Sequence, residues 1–260
     1  MRRIVINNQK GGSGKTTTAV SLAAGLAEKG RKTLLVDLDP GSSATVWLLG
    51  NEHPEVDVDL FDPSAGEEII QELALETTTK NLEIIPYTPV RAKQAKALRE
   101  MPSKSQILKN KFQRLPKNSY DYVIFDCSPG LNLTTVNALA ASNELVIPVT
   151  AQSLTLYGVI SLMETVDQIQ VKINPDLHIS GILPCRVDPG NKHNMEVVEL
   201  LIERFGVLVF STFIREDSRI AECPSFLQTI FEYEPKALAA QDYRAVVHEI
   251  LSQENKKISG

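Results

Sequence analysis

The sequence predicts an α/β fold, a doubly wound, mostly parallel sheet flanked by helices. Short apolar, β-branched runs alternate with longer stretches of helical periodicity along the 260 residues, the pattern of strands joined by crossover helices. The apolar runs are continuous and do not alternate with polar residues, as strands buried on both faces of a parallel sheet require. A glycine-rich turn and two aspartates fall at the carboxyl ends of such runs, where open α/β sheets bind their ligands.

Taken in order, Ile4–Asn7 reads as the first strand, and Thr16–Glu28 as the helix opened by the glycine-rich turn between them. Thr33–Asp37 is the second strand, stopped from running on by Pro40. Residues 52–80 are irregular and acidic apart from a helix over Gly66–Leu75, and Leu82–Ile85 is the next strand. Helices are expected over Val90–Arg99 and Ser105–Arg114, around a mixed-charge stretch, 98–118, with two prolines. Strand Tyr122–Asp126, helix Leu133–Ala141, strand Leu145–Val149 and helix Tyr157–Val171 follow. Then come strand His178–Pro184, helix Met195–Phe205, strand Leu208–Thr212 and helix Ala239–Leu251. The polar tail Ser252–Gly260 is expected to fray. With no repeat, low-complexity tract or linker, residues 1–260 read as a single domain, the irregular stretches being insertions on it.

Composition narrows the function. Hydrophobic residues at 43% and charged residues at 23% are ordinary globular values. A net charge of −5 gives no overall basic field, so any nucleic-acid binding must come from a local patch or from two subunits together. Cys127, Cys185 and Cys223 form no close pair and no disulfide framework, which favours a reducing cytosol. The chain runs from Met-Arg-Arg straight into the first strand, leaving no room for a signal peptide, and no apolar run approaches the ~20 residues of a membrane span. The expected location is cytoplasmic.

The chemistry is concentrated in Lys10-Gly11-Gly12-Ser13-Gly14-Lys15-Thr16-Thr17, between strand and helix. This is the context of a phosphate-binding loop. Glycines let backbone N–H groups crowd around phosphate oxygens, and the helix start adds its positive end. Lys15 supplies charge to the β and γ phosphates, and the Thr16 hydroxyl can ligate magnesium. The loop departs from the generic pattern, with Gln9 at the first glycine position and a second lysine, Lys10, inside it. Lys10 is either a solvated loop charge or a lysine that serves a partner subunit's nucleotide.

Asp39, just past the second strand, can orient a water toward the γ-phosphate; alternatively it only forms a turn before Pro40. Asp126 ends an apolar strand as a Walker B aspartate does, holding magnesium through its water shell. Ser128-Pro129-Gly130 after it can sense the γ-phosphate, and Cys127 reads as a small buried residue.

Gln9–Thr18, Thr33–Asp39 and Tyr120–Pro129 together resemble the ParA/MinD group of deviant Walker P-loop NTPases. Thr135–Ala141, Val146–Val149 and Ile214–Ser225 point within it to the ParA/Soj partition ATPases. The similarity spans roughly residues 2–251. It implies an ATP- and Mg2+-dependent switch, a weak ATP hydrolase whose two copies dock face to face, each Lys10 reaching the other's phosphates. Gly11 would stay small for the partner backbone, with Lys10, Lys15 and Asp39 catalytic and Thr16 and Asp126 organising the metal. The base would lie near Pro184 and Arg186, so ATP over GTP rests on the resemblance alone. The dimer would bind nucleoid DNA without sequence preference, and a ParB-like or cargo-adaptor protein would stimulate hydrolysis and so move a cargo.

Arg219 matches a DNA-contacting arginine of relatives; Arg215 and Lys192 either widen that patch or are solvated surface charges. Gly41 replaces a usual glutamine after Asp39-Pro40, and Gly190 stands where many relatives carry a basic residue. The rival is a MinD-like, membrane-associated ATPase. It would need its C-terminal apolar stripe, Tyr243, Val246, Val247, Ile250 and Leu251, to face lipid and not core. Iron–sulfur relatives would need paired cysteines, and ligase-type relatives generally lack the second loop lysine. No helix-turn-helix precedes the loop to suggest operator binding.

Overall fold

The computed structural model describes residues 1–52, 59–62, 64–88, 104–116, 118–151 and 155–258. Among them seven strands form one sheet: β1 (Arg2–Ile6), β2 (Thr33–Asp37), β3 (Leu75–Glu76), β4 (Leu82–Ile85), β5 (Tyr122–Asp126), β6 (Glu144–Thr150) and β7 (His178–Cys185). Their spatial order is β3-β4-β2-β5-β1-β6-β7, every pair parallel except the short antiparallel edge β3–β4. The helices are α1 (Lys15–Glu28), α2 (Ser43–Leu49), α3 (Ile69–Leu73), α4 (Ile107–Arg114), α5 (Leu133–Ala141), α6 (Thr155–Lys172), α7 (Lys192–Phe205), α8 (Ser218–Glu222), α9 (Ile230–Tyr233) and α10 (Leu238–Ile258).

The continuous apolar runs mean what they were expected to mean. Val5, Leu34, Val36, Val123 and Phe125 face one core, packed by α3 to α7. Ile4, Ile6, Leu35, Tyr122 and Ile124 face the other, packed by α1, α2 and α10. Alternate residues of each strand point to opposite faces, so both sets must be apolar. Helix α1 lies very close to α10: a Cβ on Gly25 would sit 2.7 Å from Val247 Cγ2. That contact seats the helix that carries the phosphate loop.

Several expectations need correction. Leu208–Thr212 is not a strand. Gly206–Leu208 is a 3₁₀ turn, and only an isolated bridge, Val209 to Ile182, joins β7. The Ser211 and Thr212 N–H groups donate to the Glu249 carboxylate, both at 3.0 Å, so they have left the ladder. Helix 66–75 shortens to α3, because Leu75 turns extended to pair with Ile84. The tail does not fray at Ser252. α10 continues to Ile258, tied by Arg2 Nη1 to the Ile250 carbonyl (2.6 Å), by Arg31 to Glu254 (2.7 Å) and by the Tyr122 hydroxyl to Glu254. The expected helix over Val90–Arg99 lies outside the described residues. β3, α2, α8 and α9, all short, were not expected.

The apolar stripe of α10 is core. Tyr243, Val246, Val247 and Ile250 are fully buried, and Leu251 packs partly buried against them. Among the described residues, no helix is long and apolar enough to cross a membrane.

Candidate functional site

Parallel pairing brings the carboxyl ends of β2, β5, β1 and β6 side by side. The phosphate loop rises from β1, flanked on one side by the acids of β2 and β5. Gly12 and Gly14 hold φ of +70° and +90°, which a side chain would strain. Gly14 is also the N-cap of α1, with no side-chain cap and no acidic residue in the first turn. The positive helix end is therefore left for an anionic ligand.

Lys15 is nearly buried, and its Nζ donates to the Lys10 carbonyl at 3.0 Å, folding the loop back over itself. Burial lowers the Lys15 pKa, and Asp126 and Asp39 pull it back up. Lys10 itself is exposed, its N–H resting on Asn8 Oδ1 at 3.0 Å. Beside it a Cβ on Gly11 would meet nothing within 4 Å, so nothing within the subunit demands glycine there. Thr16 and Thr17 follow on the first turn of α1, both half-buried.

Asp126 is completely buried and is the register neighbour of Asp37. Burial pushes its carboxyl well above the ordinary range, the Asp37 charge adds to this, and the Thr16 hydroxyl and Lys15 oppose it. Neither Asp126 oxygen has a hydrogen-bond partner of good geometry, although the Thr16 hydroxyl is near enough to favour its charge. The Ser13 hydroxyl and the Asn7 amide are likewise buried without partners. Native proteins rarely leave such groups unpaired, so this cluster is built for something polar brought in from outside. Among the described residues no three His, Cys, Asp or Glu side chains group to cage a metal. The donor set fits a magnesium–triphosphate held by Lys15, Thr16 and Asp126.

Asp37 was missed in the sequence because it reads as an ordinary strand end. It is buried and accepts from the Thr45 N–H (2.9 Å), the Thr45 hydroxyl (2.7 Å) and the Asp39 N–H (3.0 Å). Asp39, half-buried, accepts the Gly41 N–H at 2.9 Å, and its carbonyl accepts the Ser42 N–H at 2.8 Å. The turn-forming role is thus present, and Gly41 takes part in it. Ser42 sits at φ +51°, a left-handed conformation held in the turn that starts α2.

A cavity of about 610 Å³ opens from the phosphate loop at Gly14 and Thr17 to Cys185, Arg186 and the Ile214–Asp217 segment. The far wall is a short pairing: Ile214 N–H to the Pro184 carbonyl (2.8 Å), Val187 N–H to the Ile214 carbonyl (3.0 Å). Arg186, at φ +55°, reaches Glu216 at 2.8 Å across the mouth. Burial pushes the Cys185 thiol up to about 12, so it is a neutral wall. Trp47 also lines this cavity, across a sequence separation no motif could reveal. A recess of about 700 Å³ at the other end of the sheet, near Lys32, Asn81 and Ser119, meets none of these groups.

The three candidate DNA residues are held differently. Arg219 makes a two-pronged contact with Asp217 (2.7 and 2.9 Å), and Arg215 is clamped by Asp242. Lys192 is almost fully exposed at the start of α7, 3.5 Å from Glu196. The Gly190 N–H donates to Asp188 in the turn before that helix.

A family model described as an AAA domain matches residues 1–179. The chain is 37% identical over 247 residues to the sporulation initiation inhibitor protein Soj of Bacillus subtilis, covering 95% of this chain and 97% of Soj. It is 36% identical over 256 residues to the chromosome partitioning protein ParA of Myxococcus xanthus, covering 98% and 90%. Its fold superposes with a TM-score of 0.81 and 27% identity on cobyrinic acid a,c-diamide synthase from Mycobacterium smegmatis, solved with an ATP analogue and magnesium, over 98% of this chain and 96% of that one. A deviant phosphate loop at β1, the acids of β2 and β5 beside it, and these likenesses agree: the chain belongs to the ParA/MinD family of P-loop ATPases, as a ParA-type partition ATPase.

Proposed function

We propose that this chain is an ATP-driven switch that closes as a face-to-face homodimer, binds DNA without sequence preference and positions a cargo. On this reading residues 1–260 act as one ATPase domain in the cytoplasm, on the nucleoid. One observation carries the reading: Lys10 and Gly11 are both exposed at the outer side of the phosphate loop, while the inner side already holds Lys15 and the buried acids. A second, solvent-exposed lysine suits a partner's phosphates, in the manner of a charge delivered in trans.

Lys15 exchanges its bond to the Lys10 carbonyl for phosphate oxygens, and the first-turn amides of α1 receive the same phosphates. Thr16 and Asp126 would hold magnesium, which would supply positive charge against the phosphoryl group. Asp39 orients the attacking water, and Asp37 holds the Asp39 backbone in place. The purine sits in the cavity between Gly14 and Arg186, with Pro184 supporting its wall. Hydrolysis is slow until a ParB-like or cargo-adaptor protein docks on the dimer.

Size-exclusion with light scattering tests the core of this. Lys10→Ala is expected to bind ATP within about threefold of wild type, since bonds made in trans add nothing to the monomer. It should stay monomeric where the wild type dimerises with ATP and Mg2+. A Lys10→Ala protein that dimerises and hydrolyses normally removes the trans lysine from the account.

For DNA, Arg219, Arg215 and Lys192 are the proposed contacts, a local basic patch that the dimer presents twice although each chain carries a net charge of −5. Retention on DNA should require ATP and ignore sequence. It should fall by about tenfold or more between 50 and 200 mM salt, because counterion release dominates such binding. Absence of ATP-stimulated retention at low salt overturns the DNA part.

A further inference from the structure

Helix α2 is fixed at both ends, and its two ends belong to different parts of the molecule. At its start the turn Asp39–Ser42 is held by the Asp39 carboxylate and carbonyl, and Thr45 is clamped twice by Asp37. Any shift of Asp39 or Asp37 therefore pulls directly on this helix. At its far end the Trp47 indole N–H donates to the Gln228 carbonyl at 2.8 Å. One turn on, Leu227 covers Gly50, so closely that a Cβ there would lie 3.3 Å from Leu227 Cδ1.

The segment so gripped leads back to α8. Leu227 and Gln228 N–H groups bond the Pro224 and Cys223 carbonyls, and Cys223 Sγ contacts the Arg219 carbonyl at 3.1 Å. Leu227 is itself left-handed at φ +52°, a bulky residue in a conformation that persists only where its surroundings hold it. Trp47, Pro224 and Ala221 also share one wall of the base cavity.

We infer that α2 is a connecting rod between the phosphate site and Arg219, with Trp47 and Leu227 as the positioning residues at its far end. This rests on the nucleotide reading of the site, but not on dimerisation or DNA. Filling the phosphate site moves the Asp39 turn, α2 moves as one piece, and the Trp47–Gln228 and Leu227–Gly50 contacts carry the shift to residues 218–228. Coupling between sites is carried by rigid elements and hydrogen-bond chains, and α2 is a short helix bonded at its start to Asp37 and near its end to Gln228.

Hydrogen exchange of the full chain, with and without Mg2+ and a slowly hydrolysed ATP analogue, tests it. In the wild type the analogue should slow exchange roughly fivefold or more both at residues 9–18 and at residues 218–228. Leu227→Gly lies outside the base cavity and relieves the left-handed backbone. It should keep the protection at 9–18 and lose it at 218–228, while Leu227→Met, which still covers Gly50, keeps both. Equal protection of 218–228 in wild type and Leu227→Gly overturns the rod, as does a wild type protected at 9–18 alone. Absence of protection at 9–18 overturns the nucleotide reading and the rod with it, so the two failures are told apart.

Discussion

Lys15→Ala is expected to abolish measurable ATP binding in calorimetry, a loss of about 10²–10⁴ in affinity if two charge-assisted contacts to phosphate disappear. The structure adds a second effect. Lys15 is the cation whose charge pulls on Asp126 and Asp39, and its Nζ also holds the Lys10 carbonyl. Removing this buried cation takes away a charge that opposes the cost of burying the Asp126 carboxyl, and frees the Lys10 carbonyl. The nucleotide-free variant should therefore melt lower than the wild type. Combining it with Asp126→Asn should recover most of that melting loss without restoring binding. A Lys15→Ala protein with near-native affinity would mean the triphosphate does not lie on this loop.

Asp126→Asn on its own should behave oppositely in the two states. An acid whose native pKa is raised holds its proton more tightly in the folded chain than in the unfolded one. Stability is then intact below its ordinary value of 3.8 and is lost as pH climbs from there toward the elevated native value. As pH rises above 3.8 the wild type carries a growing share of that cost, and the asparagine removes it. The nucleotide-free variant should gain on the order of 1 kcal/mol, about 2–4 °C in a domain of this size. It should also lack the wild type's loss of stability with rising pH above that ordinary value. Mg2+-dependent stabilisation by ATP should nearly vanish, because the carboxylate that magnesium's water shell needs is gone. Thermal scans from pH 4 to 8, with and without Mg2+ and ATP, check both halves. A nucleotide-free variant that melts lower than wild type would show that Asp126 is satisfied after all.

What was legible before the structure was the local chemistry. Lys10 to Thr17, Asp39 and Asp126 sit in contiguous motifs, each at the end of an apolar run, and their strand ends do converge. Central strands were placed well because both faces are buried, which forces continuous apolar runs. The failures share a cause. Leu208–Thr212 has strand-like residues, but Glu249, on α10, takes two of its N–H groups. Helix α2, with seven residues, is below the length at which a helix stands alone, and it forms because Asp37 and Gln228 grip its two ends. The polar tail stays helical because Arg2 and Arg31, from the start of the chain and the start of β2's approach, reach it.

By itself the sequence determined that a phosphate-loop pattern and two strand-end acids, Asp39 and Asp126, occur in order along the chain, because each is written in neighbouring residues. Only the tertiary structure decided that Asp126 is buried without a well-placed hydrogen-bond partner, that Asp37 clamps its neighbours, and that Trp47 lines the cavity beside Gly14 while its indole donates to Gln228. Those properties depend on burial and on contacts between residues far apart in the chain, and such distances close only when the sheet and its helices pack.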